Sequence, residues 1–232
     1  MLGTFINMVL VLAGGLLGLL LKSRVPERLQ KTMMQGLGLS VLLIGISGAL
    51  KETDLLAIII CIVVGGLLGE LIDIEKRLGA LGARAERLLS GSAADGSFAK
   101  GFMSASLLFC VGAMSIVGPL ESGLSGNHTT QIAKGILDGV VAIFFAASLG
   151  PGVLLSAAAI LVYQGGITLS ASVVAPLLSD AVVTQMSAVG GLLVAGIGFI
   201  MIVDAKIRIG NLLPAIFVPI LYVPLSQWIS SL

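Results

Sequence analysis

Charge is scarce in this chain of 232 residues: Asp, Glu, Lys and Arg supply 11% of it, against about 25% in a soluble domain. A chain so poor in charge cannot cover a water-facing surface, and no soluble domain is expected. Histidine and cysteine are as rare, with His128 alone of its kind and Cys61 and Cys110 isolated inside apolar runs without metal-ligand spacing. The two cysteines read as packing residues, and His128 falls in an exposed loop. No HExxH helix, GxSxG elbow or phosphate-binding loop occurs. An enzyme is therefore not expected, nor a cofactor or a nucleic-acid partner, and the sequence leaves any metal open.

What the chain has in excess is apolar length. Hydrophobic residues make up 57% of it and the mean hydropathy is +1.12. The fold class that follows is all-α, a polytopic transmembrane helical bundle forming one domain over 1–232. Apolar runs place spans near 5–21, 33–50, 55–72, 101–120, 131–149, 152–169, 187–203 and 211–229. The first run has no basic residue ahead of it and no small-residue cleavage site before Lys22, so it reads as a span and not as a signal peptide. The last is the weakest, because Pro214, Pro219 and Pro224 would each kink it.

Basic residues test this layout independently of hydropathy. Lys22, Arg24, Arg28, Lys31, Lys76, Arg77, Arg84, Arg87, Lys100, Lys206 and Arg208 fall on one side, leaving Lys51 and Lys134 on the other. The positive-inside rule makes the first side cytoplasmic and puts both termini outside. Dropping one span before residue 204 spoils the pattern, which favours eight spans over seven.

Between the third and fourth spans, Leu71, Ile74, Leu78, Leu81, Ala85 and Leu88 recur at helical spacing opposite Glu75, Lys76, Arg84 and Arg87. Residues 73–100 thus read as an amphipathic helix on the inner leaflet followed by a flexible SGSAADGS linker, or as an extension of the third span into water. Pro176 is placed to start a short outer-surface or re-entrant helix over 176–186. A shift of 99 residues aligns the second and third spans with the fifth and sixth, suggesting inverted three-helix units at 1–72 and 101–169 with extra spans at 187–229. GGLLG recurs at 14–18 and 65–69, and a like run starts at Gly190, which reads most simply as a packing seam.

Ionisable and amide groups at membrane depth are costly and mark candidate sites. Asp138 leads them, in KGILDGVV, with Lys134 one turn earlier on the same helix face and Thr129 or Thr130 available as a cap. The pair is either a structural ion pair near the outer interface or a cation or proton site. Gln164 stands beside Gly165 and Gly166, where a helix break would let the amide and freed backbone meet a solute or a neighbouring helix; Gly65 and Gly66 are the matching break. Glu70 closes the third span as a solvated end. Asn7, Gln35 and Asn211 read as interfacial, Asn211 also as a cap that turns its amide to a cavity.

Taken together, FCVGAM at 109–114, LDG at 137–139, YQGG at 163–166, VGG at 189–191 and GNLLPA at 210–215 resemble the YdfK/YqgA-type family of bacterial inner-membrane proteins, classed as a domain of unknown function. The resemblance runs over the whole chain and implies a multi-pass protein of the bacterial cytoplasmic membrane. It supplies no reaction or substrate. On the residues, the expectation is a small-solute or ion transporter or channel whose path includes Asp138, Gln164, Gly165, Gly166, Gly65, Gly66 and Asn211, with Glu70 and Lys134 as secondary candidates. The alternative is a non-transporting membrane scaffold or regulatory subunit. The partners expected are the lipid bilayer, a small solute or cation, and a second copy in a homo-oligomer.

Overall fold

The computed structural model describes residues 1–22, 27–50, 54–80, 84, 97–111, 114–203, 205 and 207–230. These residues are helical almost throughout, and no strand occurs among them. In chain order the helices are α1 (Leu2–Lys22), α2 (Glu27–Ala49), α3 (Leu55–Ile72), α4 (74–80), α5 (Ser97–Cys110), α6 (Met114–Leu124), α7 (Thr129–Leu149) and α8 (Gly152–Leu169). They continue with α9 (Ala171–Val174), a 3-10 turn at Ala175–Leu177, α10 (Asp180–Val203), α11 (Ile209–Leu212), a second 3-10 turn at Leu213–Ile216, and α12 (Pro219–Ser230).

Burial is inverted relative to a water-soluble bundle. Leu20, Leu43, Leu67, Val162 and Leu221 are exposed, while Thr4, Asn7, Gln131, Lys134, Asp138 and Gln164 are buried. Only an apolar solvent rewards that arrangement. Among the described residues α1, α3, α7, α8 and α10 are long and apolar enough to cross a membrane, and two bent pairs, α5 with α6 and α11 with α12, bring the total to as many as seven. The apolar part of α2, Met34–Ala49, is shorter.

The helices sort into two compact units, one of residues 1–37, 76–110 and 114–172, the other of residues 38–75, 111–113 and 173–232. In the first unit α1 lies along α7 and α8, and α5 and α6 pack on α8. Close approach of α1 and α7 is a glycine effect: a Cβ on Gly14 would strike the carbonyl oxygen of Gly139, and one on Gly18 that of Ile143. In the second unit Gly45 and Gly191 let α2 and α10 touch backbone to backbone, and Gly65 and Gly69 bring α3 onto Ala215 and Asn211. The repeated GGLLG runs are therefore packing seams, as close helix contact in a bilayer needs small residues.

Several local expectations change. α8 runs unbroken through Gly165 and Gly166, and α3 through Gly65 and Gly66, so neither glycine pair breaks its helix. Glycine lowers helix propensity by about 1 kcal/mol, whereas a freed backbone group in hydrocarbon costs several kcal/mol; the helix wins. The bends fall elsewhere: α5 and α6 are inclined by 61°, and α11 and α12 by 46° around Phe217 and Val218, just before Pro219. Pro176 sits in a 3-10 turn, and residues 180–186 belong to α10 instead of a separate short helix.

α3 starts with Asp54, whose Oδ1 accepts the Ala57 N–H at 3.0 Å, and ends at Asp73 in the left-handed region with φ of 53°. The chain turns there, so α4 is not a straight extension of α3; Ile74 and Leu78 are half-buried while Lys76 and Arg77 are exposed. Leu81, Ala85, Leu88, Arg87 and residues 90–96 of the expected linker lie outside the described residues, as do Arg24, Lys51 and Lys206, and Ser97 already belongs to α5.

Candidate functional site

In the first unit three helices each turn a polar stripe toward a common line. α1 contributes Thr4 and Asn7, α7 contributes Gln131, Lys134 and Asp138, and α8 contributes Gln164 and Thr168. Spacings of three and four residues put each set on one helix face. All seven are buried, Thr4, Asn7, Gln131 and Gln164 completely.

Hydrogen bonds join them into a ladder. Lys134 Nζ lies 2.5 Å from Asp138 Oδ2. Asn7 Nδ2 donates to the same Oδ2 at 3.2 Å and to Gln164 Oε1 at 3.1 Å, tying α1 to α7 and α8. Gln131 Nε2 donates to Thr4 Oγ1 at 2.9 Å, and the Thr4 and Thr168 hydroxyls are 3.4 Å apart. Thr168 Oγ1 donates in turn to the Gln164 backbone carbonyl at 2.9 Å.

Depth follows from residue count. Thr4, Gln131 and Thr168 lie within two residues of their helix ends, whereas Asp138 is nine residues into α7, about 14 Å along a helix that rises 1.5 Å per residue. The ladder therefore descends from one end of α1, α7 and α8 to the middle of α7. Immediately beyond Asp138 the seam turns dry: Gly139 meets Gly14, and Ile143 meets Gly18. Polar groups line the upper half of the seam, and touching backbone seals the half below.

Gln164 also meets a broken helix, although not its own. Its Nε2 approaches the carbonyl oxygen of Phe109 at 3.4 Å, and Ser115 Oγ donates to the same oxygen at 3.0 Å. That carbonyl stands where α5 ends, short of α6, so the side-chain amide and the hydroxyl supply the bonds the helix no longer gives it. Gly165 packs against Met1 and Thr4, while a Cβ on Gly166 would meet nothing within 4 Å.

Not every expected residue belongs here. Gly65, Gly66, Glu70 and Asn211 lie in the second unit. There Asn211 is 2% exposed; its Nδ2 donates to Glu70 Oε2 at 2.5 Å and its Oδ1 accepts the Glu75 N–H at 2.7 Å. Glu75 Oε2 accepts the Gly210 N–H at 3.1 Å, and Arg208 pairs with both Glu70 and Asp73. The Asn211 amide is thus engaged on both sides, and it fastens the α3–α4 corner to α11. Glu70 is an ion-paired end, its side chain 57% exposed. Near α7, Asn127 Oδ1 accepts the Thr129 N–H at 3.1 Å, and Thr130 donates to Glu121 at 2.7 Å, so neither threonine serves as the cap.

The sequence reading missed Thr4, Gln131 and Thr168 and took Asn7 for an interfacial residue. The available signal was the polar stripe: Thr4 and Asn7, Gln131 to Asp138, and Gln164 and Thr168 repeat at one-turn spacing in otherwise apolar helices.

The family model described as "Protein of unknown function (DUF554)" matches residues 2–224. The chain is 30% identical over 223 residues to "Uncharacterized membrane protein YdfK" of Bacillus subtilis (strain 168), covering 94% of each chain. It is 35% identical over 227 residues to "Uncharacterized protein YqgA" of Escherichia coli (strain K12), covering 97% of this chain and 95% of the other. No solved structure matches it. With apolar helices of crossing length, an inverted distribution of polar groups and a family match over nearly its whole length, the chain is a membrane protein that belongs to the DUF554 family.

Proposed function

We propose that this protein is a small-solute or ion transporter or channel of the bacterial cytoplasmic membrane, with no enzymatic step, in which Asp138 handles a cation or proton. The observation that carries the reading is the Lys134–Asp138 pair, 6% and 7% exposed, held near the middle of an apolar helix by a ladder spanning α1, α7 and α8. A buried ion pair is seldom a source of stability, because desolvation offsets the Coulomb attraction. Function is the usual reason for an ionisable group at such depth. With both termini outside, the polar end of the ladder lies toward the outer face and the glycine seam toward the inner one.

Flux in proteoliposomes tests the reading, using wild type, Asp138→Asn and the Lys134→Met/Asp138→Asn double variant, which removes both charges and so leaves neither stranded. Both variants are expected to fold and to lose flux. Flux at the wild-type rate in the double variant removes Asp138 from the path.

A further inference from the structure

The polar line through α1, α7 and α8 ends in a closed mouth. Thr4 and Gln131 stand two residues from their helix starts and Thr168 beside the last residue of α8, where polar side chains ordinarily reach water. Yet Thr4 and Gln131 are 0% exposed and Thr168 7%. Bond direction shows how the three are joined. Gln131 Nε2 donates to Thr4 Oγ1 at 2.9 Å. The Thr168 hydroxyl proton goes to the Gln164 carbonyl, so Thr4 is the donor across the 3.4 Å to Thr168 Oγ1. At this level α7 is tied to α1, and α1 to α8, through neutral groups alone.

Such ties are easily exchanged. A hydrogen bond between neutral groups contributes little once water can replace it, whereas a buried acceptor without a donor is costly. Gln131 Oε1 is such an acceptor, buried and without a partner among the described residues. The side chain occupies a slot that glycines leave for it: a Cβ on Gly3 in α1 would meet its Cβ at 2.8 Å, and one on Gly118 in α6 would meet its Cγ at 2.9 Å. Lys134 lies about one turn below Gln131 on the same face of α7 and Asp138 two turns below, about 10 Å at 1.5 Å per residue. Beyond Asp138 the seam is backbone against backbone, Gly14 on Gly139 and Gly18 on Ile143, and offers no side chain that could swing aside.

We infer that Gln131, latched to Thr4 and through it to Thr168, is the outer gate above the Lys134–Asp138 pair. This deepens the function proposed above and rests on it for the existence of a route to Asp138. Rotation of the Gln131 side chain to another staggered position breaks the Thr4 bond and vacates the glycine-walled slot. Water then reaches the orphan carbonyl and the ammonium one turn below, and the new bonds to water offset the one that is lost. Closing reverses the exchange, with no charge moved and no helix pulled from the glycine seam.

Access below the gate is measured on purified full-length protein in detergent, with Cys61 and Cys110 replaced by serine. A single reporter thiol is introduced in Lys134→Cys/Asp138→Asn, a pair that leaves no charge stranded. The probe is a small cationic methanethiosulfonate, and mass spectrometry reads its rate of addition. Adding Gln131→Ala or Gln131→Ser is expected to raise that rate by about 10-fold, the shift in population that losing one such bond brings; an unchanged or lower rate overturns the gate. Thr4→Cys/Thr168→Cys, again without the native cysteines, places two thiols where the hydroxyls are 3.4 Å apart, within reach of a disulfide. Bridged, with the bridge verified by mass, this variant is expected to lose most of its flux in proteoliposomes and to regain it on reduction; equal flux in both forms overturns the gate, and this variant decides the matter should the Gln131 variants fail to fold. Faster labelling in the Gln131 variants with no flux in wild type keeps the gate and overturns transport. Asp138-dependent flux that ignores the bridge keeps transport and overturns the gate.

Discussion

Removing one charge of the Lys134–Asp138 pair should cost far more than removing both. In choline buffer, Lys134→Met leaves a carboxylate that is 7% exposed and keeps the Asn7 amide as its remaining partner. Stranding one member of a buried pair costs about 3–5 kcal/mol, while replacing both with neutral groups of similar volume is close to neutral. For a chain of this size 1 kcal/mol moves the melting temperature by about 2–4 °C, so Lys134→Met should melt roughly 6–20 °C below wild type. The Lys134→Met/Asp138→Asn double variant should return to within a few degrees of wild type. The assay is thermal unfolding of the purified variants, closed as a double-mutant cycle. Additive single effects, with coupling under about 0.5 kcal/mol, would refute the reasoning, for they would mean that the ammonium already sits outside the ladder.

The packing makes further, independent demands. Gly14→Ala drives a methyl into the Gly139 carbonyl and should destabilise by about 1–3 kcal/mol. Gly166→Ala meets open space and should be neutral, or stabilising by up to about 1 kcal/mol through helix propensity; thermal unfolding reads both. Asn211→Leu removes the donor to Glu70 Oε2 and the acceptor of the Glu75 N–H and should cost about 1–3 kcal/mol, seen as faster amide exchange at the α3–α4 corner. Single cysteines at 76 and 126, with Cys61 and Cys110 replaced by serine, should react with an impermeant thiol reagent from opposite sides of the membrane, 126 from outside.

Sequence pattern served well where one helix explains itself. The expected edges of α3, α7 and α8 lie within two residues of those observed, because a bilayer sets both the length and the apolar character of a span. It served poorly where a side chain answers to another helix. Asn7 is near a helix end by count, and only the pairing of α1 with α7 through Gly14 and Gly18 places it against Asp138 and Gln164. Gly165 and Gly166 suggested a break from composition, yet the interruption beside Gln164 belongs to α5, where no proline marks it. Asp138 and Gln164 were legible as costly residues; that they share Asn7 was not, since nothing local in the sequence encodes that contact.

The most direct test of the Asp138 ladder is electrical: the current evoked by a sudden jump in alkali-cation concentration across proteoliposomes adsorbed on a sensor membrane. A saturable current in wild type, absent from the Lys134→Met/Asp138→Asn double variant at the same cation concentration, is the expected result. A current of equal size in all of them, or none in folded wild type with any alkali cation, would contradict it.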